Sequence, residues 1–169
     1  SLRELGMADS VFRIEVTESE LARSGSDRIQ LMLAPSDRLQ PRPVSDVASG
    51  GELSRIALAL HVARGDSEAP TMIFDEIDAG IGGHTAHAIA SMLKRLASHA
   101  QVICITHLPQ VASLSDKHFL VHKEIGDRAV TVVRALTEGE KVDEIARMLA
   151  GFTITEASRA SARELIESR

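Results

Sequence analysis

Tryptophan and tyrosine are absent from the chain, cysteine occurs once, and no apolar run approaches the length of a membrane span. Each absence removes a class of function. Without Trp or Tyr, the usual platforms on which unpaired bases stack are missing. The 24 Asp and Glu outnumber the 19 Lys and Arg, for a net charge of −5, so composition carries no basic footprint for nucleic acid either. If DNA is a partner, a local patch or another part of the protein must supply the contact. The lone Cys104 lies inside an apolar run, which excludes a disulfide framework and reads as a buried structural thiol. A membrane-spanning helix needs about 20 apolar residues, and an export leader a basic stretch followed by an apolar one. The chain has neither, so no membrane partner and a cytoplasmic location are expected. Also missing is any Gly-x-x-x-x-Gly-Lys run followed by Ser or Thr, the loop whose amides and lysine cradle phosphates.

What is present is enough for a core: 169 residues, 44% of them hydrophobic, with no internal repeat or low-complexity tract, read as one domain over 1–169. Alternation at Phe12, Ile14 and Val16, then at Ile29, Leu31 and Leu33, predicts two half-buried antiparallel strands joined by a polar turn at Ser24 to Asp27. Pro35, Pro41 and Pro43 mark an extended connection. Ile56, Ala57 and Leu60 recur at helical spacing as far as Gly65, for about three turns. The continuous apolar runs Thr71–Phe74 and Val102–Ile105 predict strands buried on both faces of a parallel sheet. Between them Ala86, Ile89, Ala90, Leu93 and Leu96 form the stripe of a crossover helix, a βαβ unit. A short helix near Pro109 leads to a hairpin that turns at Gly126-Asp127. The tail reads as two helices, with stripes at Val142, Ile145, Ala146 and Leu149 and at Ala157, Ala160 and Leu165, separated by Gly151. Arg3-Glu4-Leu5 could be the stub of a preceding helix.

Three motifs carry chemistry. Ser49-Gly50-Gly51-Glu52 fits a capping box, which by itself means only a well-started helix. The two glycines also strip side chains from a positive helix end, which makes an anion site the other reading. Asp75 and Glu76 end a buried parallel strand, at the edge where open α/β sheets bind ligands. Asp75 would take Mg²⁺, and Glu76 would orient or deprotonate an attacking water; the plainer alternative is two solvated acids. His107 ends the next strand and could donate to a γ-phosphate, or simply hydrogen-bond its surroundings. His84 and His87 share a helix face without metal-ligand spacing and are read as solvated.

Together, Val47–Arg55, Ile73–Gly83, Cys104–Ala112 and Glu144–Gly151 resemble the ABC-ATPase heads of the SMC-like family. The resemblance implies an α/β fold, the C-terminal lobe of an ABC-ATPase head. Mostly parallel buried strands with flanking helices would be joined by antiparallel pairs. It implies that Ser49, Gly50, Gly51 and Glu52 bind the γ-phosphate of ATP held by the opposite head, that Asp75 and Glu76 are the Walker B pair, that Asp78 to Gly83 form the D-loop region with Asp78 at the nucleotide, and that His107 is the switch histidine. Gly82 stands where SMC proteins usually have aspartate. The implied cofactors are ATP and Mg²⁺. The implied partners are the N-terminal half of the same head with the missing phosphate loop, a second head in an ATP-sandwiched homodimer, and DNA through the full-length protein at the nucleoid. The implied work is DNA double-strand-break repair, and the chain alone is expected to be inactive. Two competitors are a non-catalytic lobe using ATP as glue and a toprim-type nuclease with Asp75, Glu76 and Asp78 as its metal cluster. The second leaves Ser49 to Glu52 and His107 unexplained.

Overall fold

A computed structural model describes residues 2–23, 25–65, 70–125, 129–151 and 153–168. At its centre the strands β4 (Thr71–Phe74) and β5 (Gln101–Cys104) pair in parallel, from Thr71 opposite Gln101 to Phe74 opposite Cys104. The Ile105 amide extends this ladder by donating to the Phe74 carbonyl at 2.9 Å. The crossover helix α3 (Gly83–Leu96) buries Ala86, Ile89, Ala90, Leu93 and Leu96, the five positions its spacing predicts. Ile89, Ala90, Leu93 and Leu96 join Leu58, Met72, Phe74 and Ile77 in the main core. Only one face of the strand pair is closed. Met72 and Phe74 enter the core, whereas Ile73 is 67% exposed and Ile103 and Ile105 are exposed with it. The expectation of strands buried on both faces therefore fails for this chain, because its described residues supply covering elements to one side alone.

Helix α2 (Gly50–Arg64) is longer than the predicted three turns, since it is already helical from the first glycine. Its buried face is Gly51, Arg55, Ile56 and Leu58, while Leu60 is exposed. The long hairpin of β1 (Val11–Ala22) and β2 (Gly25–Ala34) places Phe12 opposite Leu33, Ile14 opposite Leu31 and Val16 opposite Ile29, so the two predicted apolar sets are cross-strand partners. Only the base of this hairpin is buried, where Leu33 packs with Met7, Val44 and Ile56; Ile14, Val16 and Ile29 are exposed. Ser24 of the expected turn lies outside the described residues. The proline-marked connection includes a short third strand, β3 (Arg42–Pro43), followed by one helical turn, α1 (Val44–Val47). The N-terminal Leu2–Leu5 is a 3₁₀ turn that buries Leu5 completely.

Beyond the short α4 (Pro109–Ser113), strands β6 (Phe119–Ile125) and β7 (Ala129–Ala135) form the expected antiparallel hairpin. Its turn at Gly126-Asp127 lies outside the described residues. Helices α5 (Glu138–Ala150) and α6 (Glu156–Glu167) then pack with α4 around Ala112, Ile145, Ala146 and Ala162. In α6 the buried alanine is Ala162, whereas Ala157 and Ala160 are exposed; a helix this rich in small residues does not reveal by pattern which one faces inward. No helix among the described residues is long and apolar enough to cross a membrane.

Candidate active site

The cap at the start of α2 forms as the motif predicts. Ser49 Oγ accepts the Glu52 amide at 3.4 Å, while Glu52 Oε2 accepts the Ser49 amide at 2.8 Å and its hydroxyl at 2.9 Å. The Ser49 amide bond holds the Glu52 carboxyl below its ordinary range, against the opposing effect of partial burial. Glu52 is thus engaged within its own helix, and the helix end presents Ser49 and the first amides.

The glycines have a second reason to be glycine. A Cβ on Gly51 would lie 2.8 Å from the Glu76 carbonyl oxygen and 3.0 Å from the Ala79 Cβ, and one on Gly50 would overlap Glu76 Oε2. The loop after β4 therefore packs directly onto the first turn of α2. Ser54 Oγ donates to the Asp75 carbonyl at 2.7 Å, and Arg55 Nη1 donates to the carbonyls of Ile77 at 3.3 Å and Ala79 at 3.0 Å. Arg55 is only 6% exposed, and this burial is what pushes its pKa down, with Glu52 opposing. A guanidinium keeps its proton regardless, so the two carbonyls are the dipoles that compensate its charge.

Asp75 and Glu76 leave the C-terminal end of β4, both exposed. The Glu76 amide donates to Asp75 Oδ1 at 2.9 Å. Glu76 has φ +56°, the one non-glycine among the described residues with positive φ. A left-handed glutamate is costly unless its surroundings fix it, and such strain clusters at functional turns. Here the turn carries the Glu76 carboxylate against Gly50. Asp75, with one oxygen oriented by an amide and its side chain open to solvent, suits Mg²⁺, which takes one or two carboxylates and completes its shell with water and phosphate oxygens.

Asp78 behaves differently from its neighbours. It is 4% exposed, and its Oδ2 accepts the Thr106 hydroxyl at 2.5 Å and the His107 amide at 2.8 Å, with His107 Nδ1 3.1 Å away. The Leu108 amide closes the turn by donating to Thr106 Oγ1 at 3.0 Å. His107 itself is 70% exposed at the side chain. Cys104, just before this turn, has its thiol pushed up to about 12 by burial first and then by Asp78 and Asp75, so it stays protonated as a structural thiol does. Because Asp78 turns inward, the three acids do not converge, and among the described residues no group of three or more His, Cys, Asp or Glu could hold a metal ion. The nuclease reading falls with that. His84 and His87 are exposed, in line with solvated side chains.

All eight residues singled out in the sequence thus lie at one edge of the strand pair. Ser54, Arg55 and Thr106 belong with them and were missed. Arg55 did carry a signal, since it shares the helical spacing of Gly51, Leu58 and Val62 and is a charge on the inward stripe. The other two had none.

Residues 4–113 match the protein family described as "AAA domain, putative AbiEii toxin, Type IV TA system". The chain belongs to this AAA domain family. It is similar to the DNA repair protein RecN of Haemophilus influenzae, 39% identical over 171 residues that cover 99% of this chain and 31% of that protein. It is similar also to RecN of Deinococcus radiodurans, 45% identical over 169 residues, covering 98% of this chain and 29% of that one. The AAA domain chain therefore spans about a third of the length of these relatives. Among solved structures it is similar to the Smc head domain with coiled coil and joint from Pyrococcus yayanosii, at TM-score 0.59 and 23% identity, covering 85% of this chain and 26% of that chain. A chain solved for the structural biochemistry of ATP-driven dimerization and DNA-stimulated activation of SMC ATPases matches at TM-score 0.50 and 23% identity, covering 90% of this chain and 92% of that one. The fold of this AAA domain is that of SMC heads.

Proposed function

We propose that this chain is the C-terminal lobe of an SMC-like ATPase head that hydrolyses ATP between two paired heads, and that the full-length protein uses this cycle in DNA double-strand-break repair. The observation that carries the reading is the packing of the α2 N-terminus directly onto the Asp75–Ala79 turn, at the sheet edge where His107 emerges. RecN and SMC head similarity supports it, and the uncovered face at Ile73, Ile103 and Ile105 is what a second lobe, bearing the phosphate loop, would close.

In this reading Ser49 and the amides of Gly50 and Gly51 meet the γ-phosphate of the nucleotide on the opposite head, where the positive helix end favours an anion. Asp75 holds Mg²⁺, which when bound neutralises phosphate charge. Glu76 orients the attacking water and accepts its proton, for which its carboxylate must turn away from Gly50. Glu76→Gln in the full-length protein keeps volume and removes the base. Turnover is expected to fall by about 10² to 10⁴-fold, with ATP-bound dimers accumulating in light scattering. Near-normal hydrolysis in that variant would remove Glu76 from this role. Dimerisation on ATP without any wild-type hydrolysis would leave a lobe that uses ATP only as glue.

A further inference from the structure

Resting on the proposed ATPase reading, we infer that Arg55 is the positioning residue for Glu76: it grips the turn that holds this glutamate left-handed, and so sets where the carboxylate is carried. At φ +56°, Glu76 has a backbone that is costly for a non-glycine residue and persists only where its surroundings over-determine it. Those surroundings come from α2. On one side of Glu76, Ser54 Oγ donates to the Asp75 carbonyl at 2.7 Å; on the other, Arg55 Nη1 donates to the Ile77 and Ala79 carbonyls at 3.3 and 3.0 Å. Within the turn, the Ala79 amide donates to the Glu76 carbonyl at 3.0 Å and the Glu76 amide to Asp75 Oδ1 at 2.9 Å. The peptide planes before and after Glu76 are therefore both held. Burying a guanidinium is a poor way to add stability, since Arg55 is 6% exposed and its buried Nε meets no partner among the described residues. An apolar side chain on the same stripe would avoid that cost. It could not hold two carbonyls from one nitrogen, as a guanidinium NH₂ group does. Gly51 leaves the room for this grip, because a Cβ there would lie 3.1 Å from Arg55 Nη1. With its backbone fixed, Glu76 moves its carboxylate between Gly50 and the attacking water by side-chain rotation alone.

The test uses the full-length protein with Arg55→Lys, which keeps the buried charge but ends short of Nη1, alone and combined with Glu76→Gln. Arg55→Lys should lower kcat by roughly 10²-fold, the scale of a misplaced catalytic group, with KM for ATP and ATP-dependent dimerisation unchanged. In the Glu76→Gln background it should add no further loss, because a residue acting through that carboxylate has nothing left to position. Losses that multiply, or a raised KM with kcat intact, would overturn the assignment. If Arg55→Lys does not fold, Ser54→Ala takes its place, since it removes one hydroxyl from a helix that accepts alanine readily. It should give a smaller kcat loss that also vanishes with Glu76→Gln, and an unchanged kcat refutes the grip. Hydrogen exchange read by mass spectrometry needs no turnover. Either variant should speed exchange in residues 75–81, which include the Ala79 amide, and leave α3 as it is. Unchanged exchange there refutes the grip even where hydrolysis proceeds as proposed. Faster exchange in a protein whose wild type hydrolyses no ATP would sink the ATPase reading and leave the grip on the turn standing.

Discussion

At the start of α2, Glu52 Oε2 accepts the Ser49 amide at 2.8 Å and the Ser49 hydroxyl at 2.9 Å; at the start of α5, Glu140 Oε2 accepts the Thr137 amide and hydroxyl at 2.8 Å each. The returning amide bond is 3.4 Å in both. The surroundings of these matching caps differ. Gly51 of α2 is wedged against Glu76 and Ala79, while Gly139 of α5 has nothing within 4 Å of where a Cβ would stand. Glu52 has its own helix as company, and Glu140 has Arg134 at 2.5 Å on the surface. A capping box is therefore local backbone chemistry, repeated again at Thr155 and Ser158. What sets α2 apart is the Asp75–Ala79 turn that its first turn touches.

The comparison breaks hardest at the glycines. Gly51→Ala forces a methyl to 2.8 Å from a backbone oxygen that cannot swing aside, so the loop or the helix must shift. A cost of about 1–3 kcal/mol is expected, as for overpacking generally, with loss of ATP-dependent dimerisation. An acid at Gly51 would clash in the same way, so Gly51→Asp is a packing lesion as well as a charge lesion. Gly139→Ala in α5, in open space, should stabilise by about 0.5 kcal/mol and leave dimerisation alone. Paired thermal unfolding and light scattering on the full-length variants would check both. Equal effects at the two glycines would end the distinction between these helices.

Why the motif residues were legible and their wiring was not follows from the range of the interactions. Ser49 to Glu52 is a contact over three residues, and the stripe of α3 is a repeat along one helix, so both are written in consecutive sequence. Ser54 to Asp75 and Asp78 to Thr106 span more than twenty residues and join polar side chains that leave no periodic trace. The same limit explains β4 and β5. Their unbroken apolar runs correctly announce a parallel pair, but which face this chain covers depends on elements the runs do not encode.

A smaller effect sharpens the comparison at the cap residues themselves. Ser49→Ala and Thr137→Ala each remove the hydroxyl that accepts the third amide of the helix, a loss of about 1 kcal/mol in either case. Only Ser49→Ala should weaken ATP-dependent dimerisation, because only that hydroxyl is proposed to face a phosphate. Loss of dimerisation with Thr137→Ala of equal size would show that dimers respond to general stability and not to the α2 end.

The smallest expected effect is a pH dependence at the cap of α5, where the carboxyl is held down furthest. The Thr137 amide, then its hydroxyl, then Arg134 hold the Glu140 carboxyl down from the ordinary 4.5 to about 2. A carboxyl whose pKa is lower folded than unfolded stabilises the fold fully above the unfolded value and loses that contribution as pH falls through the folded one. The window is thus from about 4.5 down to about 2. Glu140→Gln keeps a side chain able to cap and removes only the charge, so its unfolding temperature should lie slightly below wild type at neutral pH and meet it near the bottom of that window. The difference should be small, because Glu140 sits at the solvated surface where such pairs are screened. A gap that stays constant from neutral pH down to the acid end would mean that the variant lost packing or hydrogen bonding, and that the carboxylate charge of Glu140 contributes nothing to this cap.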